Sequence, residues 1–332
     1  MDGVRGPLHS RVFRNADLPV LFHHADAAAI ARQREAVGST RTRLLLLVVG
    51  AALAASPWRA GVGDSFQLVG ALTALAYAGV LLITFRSARR RAGAHWQLNR
   101  SAAEFIKSMS WRYAVHGAPF DSAAGDATAL YLARLEAGLA ELKKVGWDDP
   151  RDGRPGGRGE GNGRDGGAAG GTGYGPDPVA DGELVTESMR SLREQPFTVR
   201  KETYVRDRLI EQRDWYDRRT AVSRRATTLW SVTIAVLTLL ALLLAVARSF
   251  SLTQSSAVLG LLSASAAACL AWSEIRRHQP LISAHSLVAE DLAAMHTAME
   301  TTVTERQWAA AVYETERVVS PQHTDWLVRH RG

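Results

Sequence analysis

The feature that most constrains this chain is a run of 21 residues, Ser65 to Phe85, without a single charge. An α-helix rises about 1.5 Å per residue, so the run measures about 31 Å, the thickness of a bilayer's hydrocarbon core. Three further blocks read the same way. Ala226 to Ala247 is 22 uncharged residues with a leucine-rich centre. Ser249 to Ser273 is also uncharged, its apolar part running from Ala257 to Trp272. Leu44 to Trp58 is only 15 residues long before Arg59. A block that short also suits a buried core helix, yet Arg41, Arg43 and Arg59 can reach the interfaces and let it span. Four buried helices of a soluble bundle are the alternative. Such helices carry a polar face, and the second and third blocks along the chain show none over about six turns. A signal peptide is a poor reading, because 43 residues with helical patterning precede the first apolar run. The expected fold is all-α, a membrane protein with two transmembrane helical hairpins and long cytoplasmic amphipathic helices.

Charge sets the orientation. The chain has 40 Lys and Arg against 33 Asp and Glu, a net charge of +7. Only Arg59 and Arg248 fall in the connections inside the hairpins, and the other 38 basic residues lie on the opposite side. They crowd the membrane edges as Arg32, Arg34, Arg41 and Arg43, then Arg86, Arg89, Arg90 and Arg91, then Arg218, Arg219, Arg224 and Arg225, then Arg276 and Arg277. This pattern puts both termini and the central connection in the cytoplasm, with the chain multi-pass in a bacterial inner (plasma) membrane. A collar facing anionic headgroups accounts for the basic balance, so no nucleic-acid partner is expected.

The middle of the chain reads as a tether. Arg151 to Gly175 holds 12 glycines in 25 residues, and Pro150, Pro155, Pro176 and Pro178 punctuate it. That composition cannot build a core. Its glycine run neither follows a strand nor ends in Gly-Lys-Ser/Thr, so it is no phosphate loop. The division is then a first unit over 1–145 with spans near 44–63 and 65–85, a flexible linker over 146–182, and a second unit over 183–332 with spans near 226–247 and 256–273. Both units follow one plan: a charged helix leads in, a hairpin follows, and an amphipathic helix leads out. Leu98, Ala102, Phe105 and Met109 form a heptad-like seam on the first outgoing helix. Leu281, His285, Val288, Leu292, Met295 and Met299 form one on the second. Pro280 should kink or break that helix, and Ser320-Pro321 should open a short terminal one.

Catalytic chemistry is not expected. The single cysteine, Cys269, excludes an intramolecular disulfide and a cysteine-rich zinc site. No nucleophile elbow, His-Glu-x-x-His pair or Glu-x-x-His pair is present. We therefore expect no enzyme, no catalytic residue, no cofactor and no metal. The uncharged blocks carry no Asp, Glu, Lys, Arg or His, which argues against a proton- or ion-coupled transporter. They do carry small residues at spacing four: Gly70, Ala74 and Ala78 in one span, and Ser256, Gly260, Ala264 and Ala268 in another. These are candidate helix-packing faces, either within each hairpin or between copies. Thr73, Tyr77 and Thr84, with Ser231 and Thr238, are candidate pore-lining residues. Hydroxyls in helices also bond to their own backbone, which is the plainer reading.

The stretch from His95 to Phe120 resembles the post-hairpin signature of SLATT domains, with Trp96, Arg100, Ala103-Glu104, Lys107 and Trp111 as its elements. The second half resembles another SLATT subtype (DUF4231), through Glu290, Trp308, Glu316 and the terminal His323-Thr324-Asp325-Trp326. The resemblance implies tandem two-span effector modules from bacterial conflict systems linked to cyclic nucleotides or SLOG proteins, forming pores as a homo-oligomer in the lipid bilayer. No sensor or nucleotidyltransferase domain is found in the chain, so a separate sensor or nucleotide-second-messenger protein would supply the trigger. The reading of another class is a membrane-anchored helical scaffold or signalling adaptor that recruits a cytoplasmic partner and conducts nothing.

Overall fold

A computed structural model of the chain describes residues 13–56, 61–62, 66–90, 92–152, 184–250, 256–276 and 278–319. Among them the regular structure is helical apart from two short strands, Gly61–Val62 and Phe66–Gln67, paired antiparallel with Gly61 opposite Gln67. The helices are α1 (Val20–Ala55), α2 (Leu68–Arg90), α3 (Ala92–Ala114), α4 (Ala127–Lys144), α5 (Glu187–Arg193), α6 (Phe197–Tyr204), α7 (Glu211–Ser249), α8 (Ser256–Arg276), α9 (His278–Thr301) and α10 (Glu305–Val319). Between α6 and α7, Val205–Ile210 form a π-helical turn.

The described residues divide into two compact units, and each draws on both halves of the chain. The first, a helical body, holds 13–30, 95–152, 184–210 and 295–319; the second takes its residues from 31–94 and 211–294. The expected sequence units therefore do not correspond to separate bodies. Segments before and after each hairpin build the first unit, and the hairpins themselves build the second.

In the body the caps follow local chemistry. The Asp126 carboxylate accepts from the backbone N–H groups of Thr128 at 3.0 Å and Ala129 at 2.9 Å, which opens α4. Gly146, at φ +96°, closes α4 with the paired bonds Trp147 N–H to Leu142 C=O and Gly146 N–H to Lys143 C=O, both 3.0 Å. α4 turns Ala127, Tyr131, Leu135, Leu139 and Leu142 inward at helical spacing. α3 is the central helix: nearly every residue from Ala102 to Val115 is buried, not only the expected seam of Ala102, Phe105 and Met109. An edge-to-face series of rings joins the elements, from Phe13 to Trp111 at 4.7 Å, Trp111 to Tyr204 at 5.7 Å and Tyr204 to Trp308 at 5.6 Å. Residues 146–152, expected within the linker, are folded against the body. Trp147 is buried and donates to Asn99 Oδ1 at 3.2 Å, while buried Asp149 pairs with Lys143 and Arg151. The glycine-rich stretch beyond lies outside the described residues.

The second unit contains most of each membrane segment. Among the described residues, four helical stretches are long and apolar enough to cross a bilayer: Val20–Ala55, Leu68–Arg86, Phe197–Ala247 and Ala257–Thr301. At most 6% of each apolar window is buried within the chain, so these leucine-rich faces meet a lipid solvent. The first span, expected over 44–63, is helical only to Ala55, and the second begins at Leu68, not at residue 65. Pro57 follows soon after Ala55 and disfavours continuing the helix. α8 ends at Arg276 and α9 starts at His278, with Pro280 in its first turn, where its missing N–H costs no helical bond. Ser320-Pro321 lies outside the described residues.

Candidate functional site

The residues singled out from sequence fall into two groups, one in each unit. In the spans, the first hairpin closes at Gly50 and Gly79. A Cβ on Gly50 would sit 3.2 Å from the Tyr77 ring, and one on Gly79 would sit 3.1 Å from Leu46. The stripe Gly70, Ala74 and Ala78 is exposed and does not make this contact, whereas Ala76 is buried. In α8, Gly260 is exposed with nothing within 4 Å of its added Cβ; Ala264 and Ala268 are half-buried. The Ser256 side chain is outside the described residues. Among the candidate lining residues, Thr73, Thr84 and Thr238 each donate to the carbonyl four residues back at 2.8 Å. Thr84, Ser231 and Thr238 are exposed, and Tyr77 packs on Gly50. Cys269 is half-buried.

On the outgoing helix α9, Leu292 and Met299 are buried, Val288 and Met295 half-buried, and Leu281 exposed. His285 stacks edge-on to Trp215 at 5.9 Å and lies 5.5 Å from the Tyr216 ring. That half of the seam is therefore packed inside its own chain.

The body gathers the signature residues. Arg100 bridges Asp26 at 3.1 Å and Glu104, tying α3 to α1. Lys107 and Trp111 are buried further along α3, and Trp96 is half-buried. Trp308 donates its indole N–H to Val115 C=O at 2.7 Å. Glu316 lies at the centre. Its Oε1 accepts from Tyr204 Oη at 3.0 Å and from Arg208 Nε at 2.9 Å, and its Oε2 accepts from Arg208 Nη2 at 2.8 Å. Arg208 and Glu316 are each 1% exposed. A planar guanidinium matches a carboxylate in this forked way, and only such geometry offsets the loss of hydration of both charges. Arg208 Nη1 is buried without a partner. Glu290 is exposed on α9, and Trp326 is outside the described residues.

Sequence reasoning missed Tyr204, Arg208 and the π turn. A signal did exist: Val205, Arg208 and Leu209 fall at i, i+3 and i+4, so Arg208 sits on an apolar helical face.

A second polar group caps α3. His116 takes the left-handed position at φ +62°, with Gly117 N–H bonded to Arg112 C=O at 2.7 Å. The arginines Arg112, Arg193 and Arg200 donate to the carbonyls of Ala118, Tyr113 and Val115 respectively. Burial and the nearby charges of Arg193 and Arg200 press the His116 imidazole down to about 4. Burial works against the Asp149 charge, but bonds from Arg151 and Lys143 prevail and hold it at about 2.

Four membrane-length helices beside a helical body define a multi-pass membrane protein. Two family profiles match it: residues 19–160 match SMODS and SLOG-associating 2TM effector domain 3, and residues 204–326 match SMODS and SLOG-associating 2TM effector domain 1. The chain is a SLATT-domain protein with two units in tandem. No curated protein and no solved structure matches it.

Proposed function

We propose that this protein is an oligomeric effector of a bacterial conflict system that permeabilises the inner membrane by assembling its hairpins, without catalysing a reaction. The observation carrying the reading is that at most 6% of each of the four apolar windows is buried within one chain. Helices so little covered by their own chain keep faces free for copies of themselves. The open surface at Gly260 allows a close helix approach of the kind small residues permit in membranes. Both termini and the body lie on the cytoplasmic side in this reading, where the basic collar faces anionic headgroups. A separate sensor or nucleotide-second-messenger protein supplies the trigger. The family name, SMODS and SLOG-associating 2TM effector domain, supports the effector role.

The scaffold reading has one observation of its own. The hydroxyls of Thr73, Thr84 and Thr238 are spent on their own helices, which leaves less polarity for a lining. Dye release from liposomes holding the purified full-length protein separates the two readings. Release that falls when Gly260 and Ala264 are both replaced by Leu supports the pore. No release from protein that is inserted and oligomeric supports the scaffold.

A further inference from the structure

The chain passes from one unit to the other at four places, and three of them lie inside uninterrupted α-helices: 30/31 in α1, 94/95 in α3 and 294/295 in α9. The fourth, between Ile210 and Glu211, falls at the end of the π turn. A π turn bonds i to i+5 and so holds one residue more than α-helix needs to cover the same angle. It is intrinsically less favourable than α-helix and persists where its surroundings hold it.

Here the surroundings are specific and opposed. Arg208 is drawn inward by its fork on Glu316 of α10, with Tyr204 on the same carboxylate. The adjacent Asp207 is held by a different element, accepting from the Phe13 N–H at 2.9 Å. Two consecutive residues are thus pinned to partners far apart in sequence. The inward pin is a buried charge pair with one guanidinium nitrogen left unpartnered. A pair of this kind is a poor source of stability and a good selector of one register over another.

We infer that the π turn is a register switch for the third membrane helix, latched by the Arg208–Glu316 pair. Release of the latch lets Val205–Ile210 wind into α-helix. The extra residue is absorbed, and α7 turns by one residue's worth, about 100°, with an advance of about 1.5 Å. The turn carries to Ala247, because α7 is continuous from Glu211 through the span. The inference does not depend on conduction: a scaffold could use the same rotation to present or hide a surface.

The test uses full-length Cys269→Ala protein in lipid nanodiscs with pairs of nitroxide labels. One label replaces Glu141 on α4, and the other replaces Asp217, Arg218 or Arg219 on α7 in separate samples. These three exposed positions lie about 100° apart in succession around α7, so a rotation changes their distances to Glu141 unequally. A 100° turn moves a point on the helix rim by about 8 Å. Glu316→Gln keeps the side-chain volume and one acceptor oxygen while removing the charge. It should shift at least one of the three distances by several ångströms and another by less or in the opposite sense. Deleting Arg206 removes the extra residue while α7 keeps its starting orientation, so Glu316→Gln in that background should leave all three distances in place. If Glu316→Gln does not fold, Tyr204→Phe, which takes away one of the three donors to the carboxylate, should shift the distances in the same directions by less. Unmoved distances in a folded latch variant overturn the inference. So does an equal shift with Arg206 deleted.

Discussion

The helical body and the membrane unit use the same side-chain chemistry in opposite ways, and hydroxyl groups show it best. In the body, Tyr204 bonds Glu316, Ser110 Oγ lies 3.2 Å from Tyr131 Oη, and Thr186 donates to Asp17 C=O at 2.7 Å; each contact ties two elements together. In the spans, Thr73, Thr84, Thr233 and Thr238 each bond only the carbonyl one turn back. Water competes for every polar group of the body, so a buried one must find a partner wherever the fold supplies it. Lipid offers no partner, and a lone hydroxyl satisfies itself locally. The body is consequently specified by long-range contacts, and the spans by composition.

Breaking that specification at its centre should have the largest effect. Glu316→Ala leaves the Arg208 guanidinium buried and uncompensated, at a cost of about 3–5 kcal/mol. Loss of the cooperative melting transition and rapid proteolysis between α4 and α5 would register it, while the spans should still insert. Glycines sharpen the comparison at the next level down. A Cβ on Gly138 of α4 would overlap the edge of the Phe105 ring, so Gly138→Ala should destabilise by about 1–3 kcal/mol. Gly260 of α8 has open space around it, and Gly260→Ala should be neutral or stabilising by up to about 1 kcal/mol. Melting temperatures of the two variants in detergent should move in opposite directions or differ plainly in size.

The body should respond to mild acid. His116 is held at about 4 against an ordinary 6.5, so it is neutral when folded and takes up a proton on unfolding below 6.5. Its contribution is fully present above pH 6.5 and is lost as the pH falls towards 4. Screening of the half-exposed ring limits the loss to ~1–2 kcal/mol. Asp149, held at about 2, adds no pH dependence in that window, because above 3.8 its carboxylate is ionised in the unfolded chain as well. His116→Asn tolerates the left-handed backbone and removes the titration. The drop in melting temperature between pH 7.5 and 5 should therefore be smaller in the variant than in the parent. An equal drop in both would assign the acid sensitivity to other groups.

How much of this was legible in the sequence follows the same contrast. Absence of charge over a bilayer's thickness needs no knowledge of partners, so the four spans could be read directly, with errors only at ends such as Ala55 and Leu68. The body was legible in parts. The spacing of Ala102, Phe105 and Met109 identified a packed face, but α3 is buried on its other sides too, where Tyr131 of α4, Arg193 of α5 and Trp308 of α10 reach it from distant parts of the chain. Trp111, Trp308 and Glu316 stood out through family resemblance alone. Their common neighbours Tyr204 and Arg208 did not, because they lie 112 and 108 residues from Glu316 and no local spacing links them. The π turn was illegible for a related reason: the contacts that hold it come from Phe13 and α10.

The smallest expected effect is also the one that decides what the spans do. Thr73→Val, Thr84→Val and Thr238→Val each remove one hydroxyl whose acceptor carbonyl already serves the helix's own hydrogen bonding. Valine has nearly the same shape and a similar helix propensity, and each change should alter stability by less than about 0.5 kcal/mol. Ser110→Ala in the body is the matched control. That hydroxyl lies within hydrogen-bond reach of both Ile106 C=O and Tyr131 Oη, and its loss should cost about 1 kcal/mol. Because the valine variants leave folding and insertion intact, any fall in liposome dye release belongs to the polarity of the conduction path. A fall at Thr84 and Thr238, both exposed in the single chain, would place them on a surface that assembly turns towards water. Release unchanged in all three, from a parent protein that does release dye, would move the path to another face of the spans. The exposed stripe of Gly70, Ala74 and Ala78 would then be the first to substitute.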